Sequence, residues 1–258
     1  MLEPAAPGNA APRAFLRIGG ITVARQQLAL ALELRCERVI CLAAGLGPEM
    51  VELQHIAEAA GAQFHVLGSA RGLAGLVTAV DEVIALGDGL FLSIAPAAAL
   101  LEDGQAVLVQ PIEQGLEAGF ERIDLNHAGA AAMRLPGRLV ERLAELPPDC
   151  DAASALQRIA LQAGIRQRPI PTPGQDGLFW TLVRSEDEAH KLEPQWIRQR
   201  TRDEGMPSPS RGLALLAVRA FGPALLHAGS GATALVIAAA VLALLALGSG
   251  WFGWTVLG

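Results

Sequence analysis

The chain has 258 residues, of which 52% are hydrophobic and only 4% aromatic, and its mean hydropathy is +0.36. Globular domains are rarely so apolar, so the composition favours a domain of ordinary size joined to a lipid-facing segment. The net charge of −6 is unevenly spread, because residues 1–190 have 14 Lys and Arg against 23 Asp and Glu. Because the main domain is acidic and has few aromatic side chains, we do not expect it to bind a nucleic acid.

The chain begins with a segment rich in Ala, Pro and Gly, residues 1–12, which predicts a disordered lead-in. This segment has no basic stretch followed by an apolar one, so it does not resemble a secretory signal. The three cysteines, Cys36, Cys41 and Cys150, lack the spacing of a zinc site.

Residues 13–190 alternate helical periodicity with short apolar runs, which is typical of βα units on a parallel sheet. We expect helices around 23–32, 50–60 and 73–84, and strands at 38–42, 63–67, 89–93 and 106–110. After Pro111 the pattern predicts helices at 136–146 and 151–163, strands at 166–170 and 178–183, and a charged helix over 185–202. The predicted fold is an α/β domain with a Rossmann-like, doubly wound, mostly parallel sheet.

The C-terminal part reads as a membrane anchor. We expect residues 191–211 to be a basic juxtamembrane linker, 212–228 an interfacial helix with Arg219 at its middle, and 229–258 a transmembrane helix. Its uncharged run, residues 232–250, spans about 28 Å as a helix, close to a bilayer core of about 30 Å. Because basic residues stay on the cytoplasmic side, we expect a protein of the bacterial inner membrane, with its main domain in the cytoplasm.

Two segments of the main domain carry a family resemblance. The first is Arg13-Ala-Phe-Leu-Arg-Ile-Gly-Gly-Ile-Thr-Val23, which leads into a helix, and the second is Phe179-Trp-Thr-Leu-Val-Arg-Ser-Glu-Asp187. Both resemble the nucleotidyltransferase family that includes sugar-phosphate nucleotidyltransferases and molybdenum-cofactor guanylyltransferase. Arg13 stands where that family has a Lys, Gly20 keeps the turn, and Thr22 replaces a Pro.

The resemblance implies a nucleotide site with Arg13 on the phosphates and Gly19 and Gly20 in the adjoining loop. It also implies two carboxylates that hold Mg²⁺, which is the cofactor expected of an active enzyme. The family's first Asp is expected after the strand ending at Ser93, where the residues are Ile94, Ala95 and Pro96, and Thr181 stands in place of the second. The sequence therefore predicts a degenerate catalytic site with no certain cofactor.

Two further polar segments are candidate ligand sites. Glu121, Arg122 and Asp124 lie where the topology changes, and they could bind a sugar or a headgroup phosphate; a solvated edge strand with a local ion pair is the alternative. The segment Gly68–Gly72 follows a strand and opens a helix, so Ser69 and Arg71 could hold an anion, or Ser69 could simply cap the helix.

Two functions follow. The first is a membrane-anchored nucleotidyltransferase-like protein linked to the synthesis of an activated sugar or alcohol for phospholipid headgroups, since related domains occur fused ahead of CDP-alcohol phosphatidyltransferase domains. The tail lacks the Asp-Gly-x-x-Ala-Arg signature of those membrane domains. The second is a non-catalytic nucleotide-binding, sugar-binding or scaffold protein at the membrane. The expected partners are the lipid bilayer and a nucleotide or sugar phosphate.

Overall fold

The computed structural model describes residues 12–43, 45–147, 150–172 and 178–203. The chain divides into two compact units, Met1–Ala189 and His190–Gly258. The first unit contains every strand of the described residues. In the second unit, the guanidinium carbon of Arg200 lies 6.0 Å from the centre of the Trp196 ring, which is a cation–π contact.

The described residues form six α-helices and ten strands. The helices are α1 (Val23–Glu33), α2 (Pro48–Ala59), α3 (Ile94–Glu102), α4 (Ile112–Glu117), α5 (Ala152–Gln162) and α6 (Glu186–Asp203). The strands are β1 (Arg17–Ile18), β2 (Ile21–Thr22), β3 (Arg38–Leu42), β4 (Gln63–Leu67), β5 (Glu82–Leu86), β6 (Leu90–Leu92), β7 (Ala106–Pro111), β8 (His127–Pro136), β9 (Gln167–Pro169) and β10 (Trp180–Leu182). Three 3₁₀ helices add Arg13–Phe15, Ala70–Gly75 and Gly137–Glu145.

The strand pairing is mixed. Strands β3 and β4 pair in parallel, as do β7 and β9. Strand β8 runs antiparallel between β5 and β7, and β6 pairs antiparallel with β10. The predicted α/β class is therefore confirmed, whereas the predicted mostly parallel sheet is wrong for the described residues. The reason is β8, a ten-residue strand that the sequence pattern did not reveal.

Strand β7 is covered on both faces, because its alternate side chains enter different cores. From β7, Val107 and Val109 join a core with α5 and the two later 3₁₀ helices, whereas Leu108 joins the core beneath α1 and α3. A third core lies between β3, β4 and the helices α1 and α2. Alternation of this kind is the period-two pattern of a strand that is buried on both faces.

The predicted helix over 73–84 is wrong. Its first part is the 3₁₀ helix Ala70–Gly75, and residues 82–86 are β5. The apolar residues that suggested a helical stripe include Val80, whose side chain is 91% exposed. The run Glu-Val-Ile-Ala-Leu instead alternates, since Val83 and Ala85 face one core and Ile84 and Leu86 the other. The chain therefore has a further strand, β5, directly before β6.

No helix within the described ranges is both long and apolar enough to cross a bilayer. The predicted interfacial and transmembrane segments, 212–228 and 229–258, lie outside the described residues, as does the lead-in up to residue 11.

Candidate functional site

The site is built around a tight turn between β5 and β6. The N–H of Leu90 donates to the carbonyl oxygen of Gly87 over 3.3 Å, and Gly89 has φ +78°. A positive φ at the third residue, after a residue with negative φ, is the mark of a type II turn. Asp88 is the second residue of this turn, and it is half-buried between two buried glycines. The fold thus presents one carboxylate at the end of β5.

Two segments far away in the chain meet at this turn. A Cβ atom on Gly89 would lie 2.6 Å from the carbonyl oxygen of Val183 and 3.5 Å from Cδ of Arg13. The N–H of Val183 also donates to the carbonyl oxygen of Gly89 over 2.8 Å. The glycine is required here because neither the φ angle nor the space admits a side chain. Arg13 and Val183 therefore both lie against the turn that contains Asp88.

Strand β10 carries the second position that the resemblance singles out. Thr181 pairs with Phe91 of β6, and it is half-buried. The strand is fixed on both sides, because the N–H and carbonyl of Phe179 bond to Ser93 and the Trp180 indole donates to Ala130 over 2.9 Å. The Phe91 and Phe179 rings pack edge to face with centres 5.9 Å apart. Thr181 therefore lies on β10 next to β6, the strand that follows the turn with Asp88.

A second cation near the turn is Arg184, which is paired with a carboxylate. The guanidinium of Arg184 packs against Gly119, where a Cβ atom would overlap it, and pairs with the Glu188 carboxylate over 3.0 Å. Glu188 also accepts the backbone N–H of Arg184 over 2.9 Å. This ion pair offsets the charge of Arg184.

The oxygen-bearing side chains near the turn fit a magnesium ion that is bound to a nucleotide better than a magnesium ion alone. Within the described part of the chain, no three His, Cys, Asp or Glu side chains converge as a metal site would require. Magnesium, however, is usually held by one or two carboxylates together with substrate phosphates and water. Asp88 supplies one carboxylate, and Thr181 offers a neutral hydroxyl rather than a second. Any metal here would depend on phosphate oxygens of the ligand.

No protein-family model matches the chain, and no curated protein matches it. Among solved structures, the fold is similar to the inositol-1-phosphate CTP transferase from T. maritima. That similarity has a TM-score of 0.49 and 12% sequence identity, and it covers 71% of this chain and 84% of that chain.

Gly19 and Gly20 serve a hairpin. They have φ +59° and +78° and connect β1 to β2, where Ile18 pairs with Ile21. Two central residues with positive φ are typical of a type I′ turn, for which Gly-Gly is a preferred sequence. Thr22 ends the hairpin and caps α1, since its hydroxyl accepts the N–H of Arg25 over 3.2 Å. The conformational demand of the turn accounts for both glycines, and their predicted place beside the phosphates stays a prediction.

The segment around Ser69 and Arg71 follows β4, and its predicted role in binding an anion stays a prediction. It opens a six-residue 3₁₀ helix, and no side-chain cap from Ser69 is seen among the described residues. Arg71 is exposed and donates to the carbonyl oxygen of Leu146 over 3.3 Å. The predicted helix cap is thus wrong in detail, and the arginine instead ties this helix to the end of the one at Gly137–Glu145.

The acidic cluster is a turn closed by Asp124. One of its oxygens accepts the N–H groups of Asn126 and His127, each over 2.8 Å, and the carboxylate contacts the His127 ring over 3.2 Å. These bonds, led by the Asn126 N–H, lower the pKa of Asp124 from 3.8 to about 2. Arg122 donates to the Asp124 carbonyl, and Glu121 is exposed. The described polar contacts of Arg122 and Asp124 are thus made within this turn, and binding of a sugar or headgroup phosphate by Glu121, Arg122 and Asp124 stays a prediction.

The sequence interpretation missed Asp88. The resemblance places the family's first carboxylate after β6, at Ile94 to Pro96, because the predicted helix over 73–84 conceals β5. Those residues instead begin α3, whose stretch from Ile94 packs on a buried core. The signal that could have found the site is the Gly87-Asp88-Gly89 triplet directly after an alternating apolar run, which indicates a turn that ends a strand.

Proposed function

We propose that the domain binds a nucleoside triphosphate together with a divalent cation at the site formed by Arg13, Asp88 and the 179–187 segment. The observation that carries this proposal is the contact of Arg13 and Val183 with the Gly87–Leu90 turn, since it unites the two segments that resemble nucleotidyltransferases with a carboxylate. In this arrangement Arg13 stabilises the negative phosphates and Asp88 contributes charge for the cation.

The reaction that this site suits best is nucleotidyl transfer. An oxygen of an acceptor phosphate forms a bond to the α-phosphorus of the nucleotide. The bond from that phosphorus to the bridging oxygen breaks, and pyrophosphate leaves with the electron pair. A bound divalent cation would neutralise phosphate charge during this step. Arg13 would hold the phosphates, and the buried turn would keep the Asp88 carboxylate fixed beside them.

Thr181 favours a second candidate function, nucleotide or sugar-phosphate binding without chemistry. A neutral hydroxyl at that position removes one of the two charges that the resemblance implies for the metal. A site with one carboxylate still binds a nucleotide through its phosphates, but it stabilises a doubly charged transition state less. The two functions differ in turnover rather than in binding.

We further propose that the chain works at the cytoplasmic face of the inner membrane, where its product or ligand belongs to the synthesis of an activated sugar or alcohol for lipid headgroups. The support is the uncharged run at 232–250 and the basic residues before it. Both features are properties of the sequence. The acceptor of the nucleotidyl group would be a phosphorylated sugar or polyol.

Titration calorimetry of the full-length chain in detergent with CTP, GTP and UTP, with and without Mg²⁺, tests the proposal. Binding of one nucleotide that depends on Mg²⁺ is expected. Pyrophosphate release on adding sugar phosphates or polyol phosphates would distinguish the enzyme from the binding protein. Absence of nucleotide binding under all these conditions would contradict both functions.

A further inference from the structure

The turn that carries Asp88 is held by a side chain from α1, some 60 residues earlier in the chain. Nε2 of Gln27 donates to the carbonyl oxygens of Gly87 and Leu90, each over 2.9 Å. These two residues are the first and last of the turn, so one amide group spans it. Because Gln27 bonds to the backbone on both sides of Asp88, its side chain bridges the ends of the turn, alongside the bond from the Leu90 N–H to the Gly87 carbonyl.

The rest of the turn is fixed by close backbone contacts. The N–H of Gly87 donates to Ala131 over 2.7 Å, and a Cβ atom on Gly87 would lie 2.8 Å from that of Ala131. Ala131 itself has φ +54°, an uncommon value for a residue with a side chain. The turn is therefore packed against β8 and against Val183, and Gln27 bonds to it as well.

We propose that Gln27 is a positioning residue for the metal–nucleotide site: it fixes the backbone of the Gly87–Leu90 turn so that the Asp88 carboxylate is preorganised for a cation. This inference rests on the proposed function. Groups that orient a metal ligand without touching the metal often matter nearly as much as the ligand, because they remove the cost of ordering it. Gln27 also joins the site to α1, the helix that follows the hairpin after Arg13.

The neighbouring residue provides a matched control. Gln26 is buried, with 5% of its surface exposed, and its Nε2 donates to the carbonyl oxygen of Leu92 over 2.8 Å. Both glutamines thus bind main-chain carbonyls of the β5–β6 region from the same helix. Gln26 bonds to strand β6, whereas Gln27 bonds to the turn. Loss of either bond leaves carbonyls without their partner, so both substitutions destabilise the fold.

The test compares Gln27→Leu with Gln26→Leu in the full-length chain, using Mn²⁺ and CTP as the probe. Electron paramagnetic resonance of free Mn²⁺ measures binding, and hydrogen exchange measures protection of the Asp88 to Leu90 amides. We expect Gln27→Leu to weaken Mn²⁺ binding about 10- to 100-fold and to speed exchange in the turn. Gln26→Leu should leave both unchanged, although it unfolds at lower denaturant concentration. If Gln27→Leu fails to fold, Gln27→Met provides a variant of similar side-chain length.

The outcomes separate the inference from the function on which it rests. A wild-type chain that binds no Mn²⁺ with CTP overturns the proposed function, and the positioning role falls with it. A wild-type chain that binds the probe while Gln27→Leu binds it equally well overturns the positioning role alone. Equal losses in Gln27→Leu and Gln26→Leu would also overturn it, because the effect would then be general destabilisation.

Discussion

Gly89 and Val183 are joined more tightly than any side chain at the glycine would allow. The Val183 N–H donates to the Gly89 carbonyl over 2.8 Å, and the Val183 carbonyl oxygen occupies the space that a Cβ atom on Gly89 would need. This contact brings residues more than ninety positions apart into one site. Its close fit makes the site sensitive to a single methyl group.

A residue with a side chain costs about 1–2 kcal/mol in the left-handed backbone conformation. Gly89→Ala should lower the free energy of unfolding by more than this, because its methyl group also overlaps Val183. Gly61→Ala is the control, since Gly61 has φ +86° but open space around its Cβ position. Urea unfolding of both variants measures the difference. Equal losses of free energy of unfolding would show that the Val183 contact is not tight.

Asp88→Asn should abolish the Mg²⁺-dependent part of nucleotide binding, because the neutral amide cannot offset the charge of the cation. Binding without Mg²⁺ should persist, since Arg13 is unchanged. Glu113→Gln on α4, where the carboxylate is exposed, is the charge-matched control. Calorimetry with and without Mg²⁺ checks the prediction, and a similar loss in both variants would refute it.

Thr181→Asp should strengthen binding of Mn²⁺ with nucleotide by tenfold or more, which corresponds to about 1.4 kcal/mol. The substitution supplies a second carboxylate on β10, opposite the strand that follows Asp88. Thr181→Asn, which has nearly the same shape without the charge, should bind no better than wild type. Pyrophosphate release by the Asp variant would favour the enzymatic function, and unchanged affinity would place Thr181 away from the cation.

The free energy of unfolding should depend on pH through the ionisation of Asp124. Its pKa in the folded chain, about 2, is below its ordinary value of 3.8, chiefly because the Asn126 N–H bonds to the carboxylate. The stabilisation is therefore complete above about pH 4 and is lost as the pH falls towards 2. Thermal unfolding of wild type and Asp124→Asn between pH 2 and 5 measures this. The unfolding temperatures of the two proteins should converge as the pH is lowered. A difference that stays constant with pH would show that Asp124 is not the source of the acid dependence.

The sequence also predicts how the chain partitions. Full-length protein should remain with membranes after alkaline extraction, because an uncharged and largely apolar run of nineteen residues is stabilised by lipid. Replacing Val236 and Leu244 with Arg should release it, since charge in the bilayer core is costly. Recovery of the unmodified chain in solution without detergent would contradict the membrane anchor.

The parts of the fold that follow from local pattern were predictable. Strands β3 and β4 have the predicted bounds, since Arg-Val-Ile-Cys-Leu and Gln-Phe-His-Val-Leu are short apolar runs between helices. The helices at 152–162 and 186–203 also match, the second despite Pro194 inside it. These elements are specified by burial and propensity within a few residues, which a sequence displays directly.

The remainder depends on contacts between distant residues. Strand β8 is rich in Ala and Gly, residues of low strand propensity, and it forms because β5 and β7 pair with it on both sides. The candidate site has the same dependence, since Arg13, Asp88 and Val183 become neighbours only after β6 pairs with β10. Because the apolar pattern assigns 73–84 to a helix, it gives no reason to expect the end of a strand at Asp88.

The most direct test of the nucleotide site is a crystal structure of the full-length chain grown with Mn²⁺ and CTP, with the metal located by anomalous scattering. The site predicts one Mn²⁺ bound to a carboxylate oxygen of Asp88, with the phosphates of CTP beside Arg13. Manganese at the Asp124 turn, or nucleotide bound away from the Gly87–Leu90 turn, would contradict it.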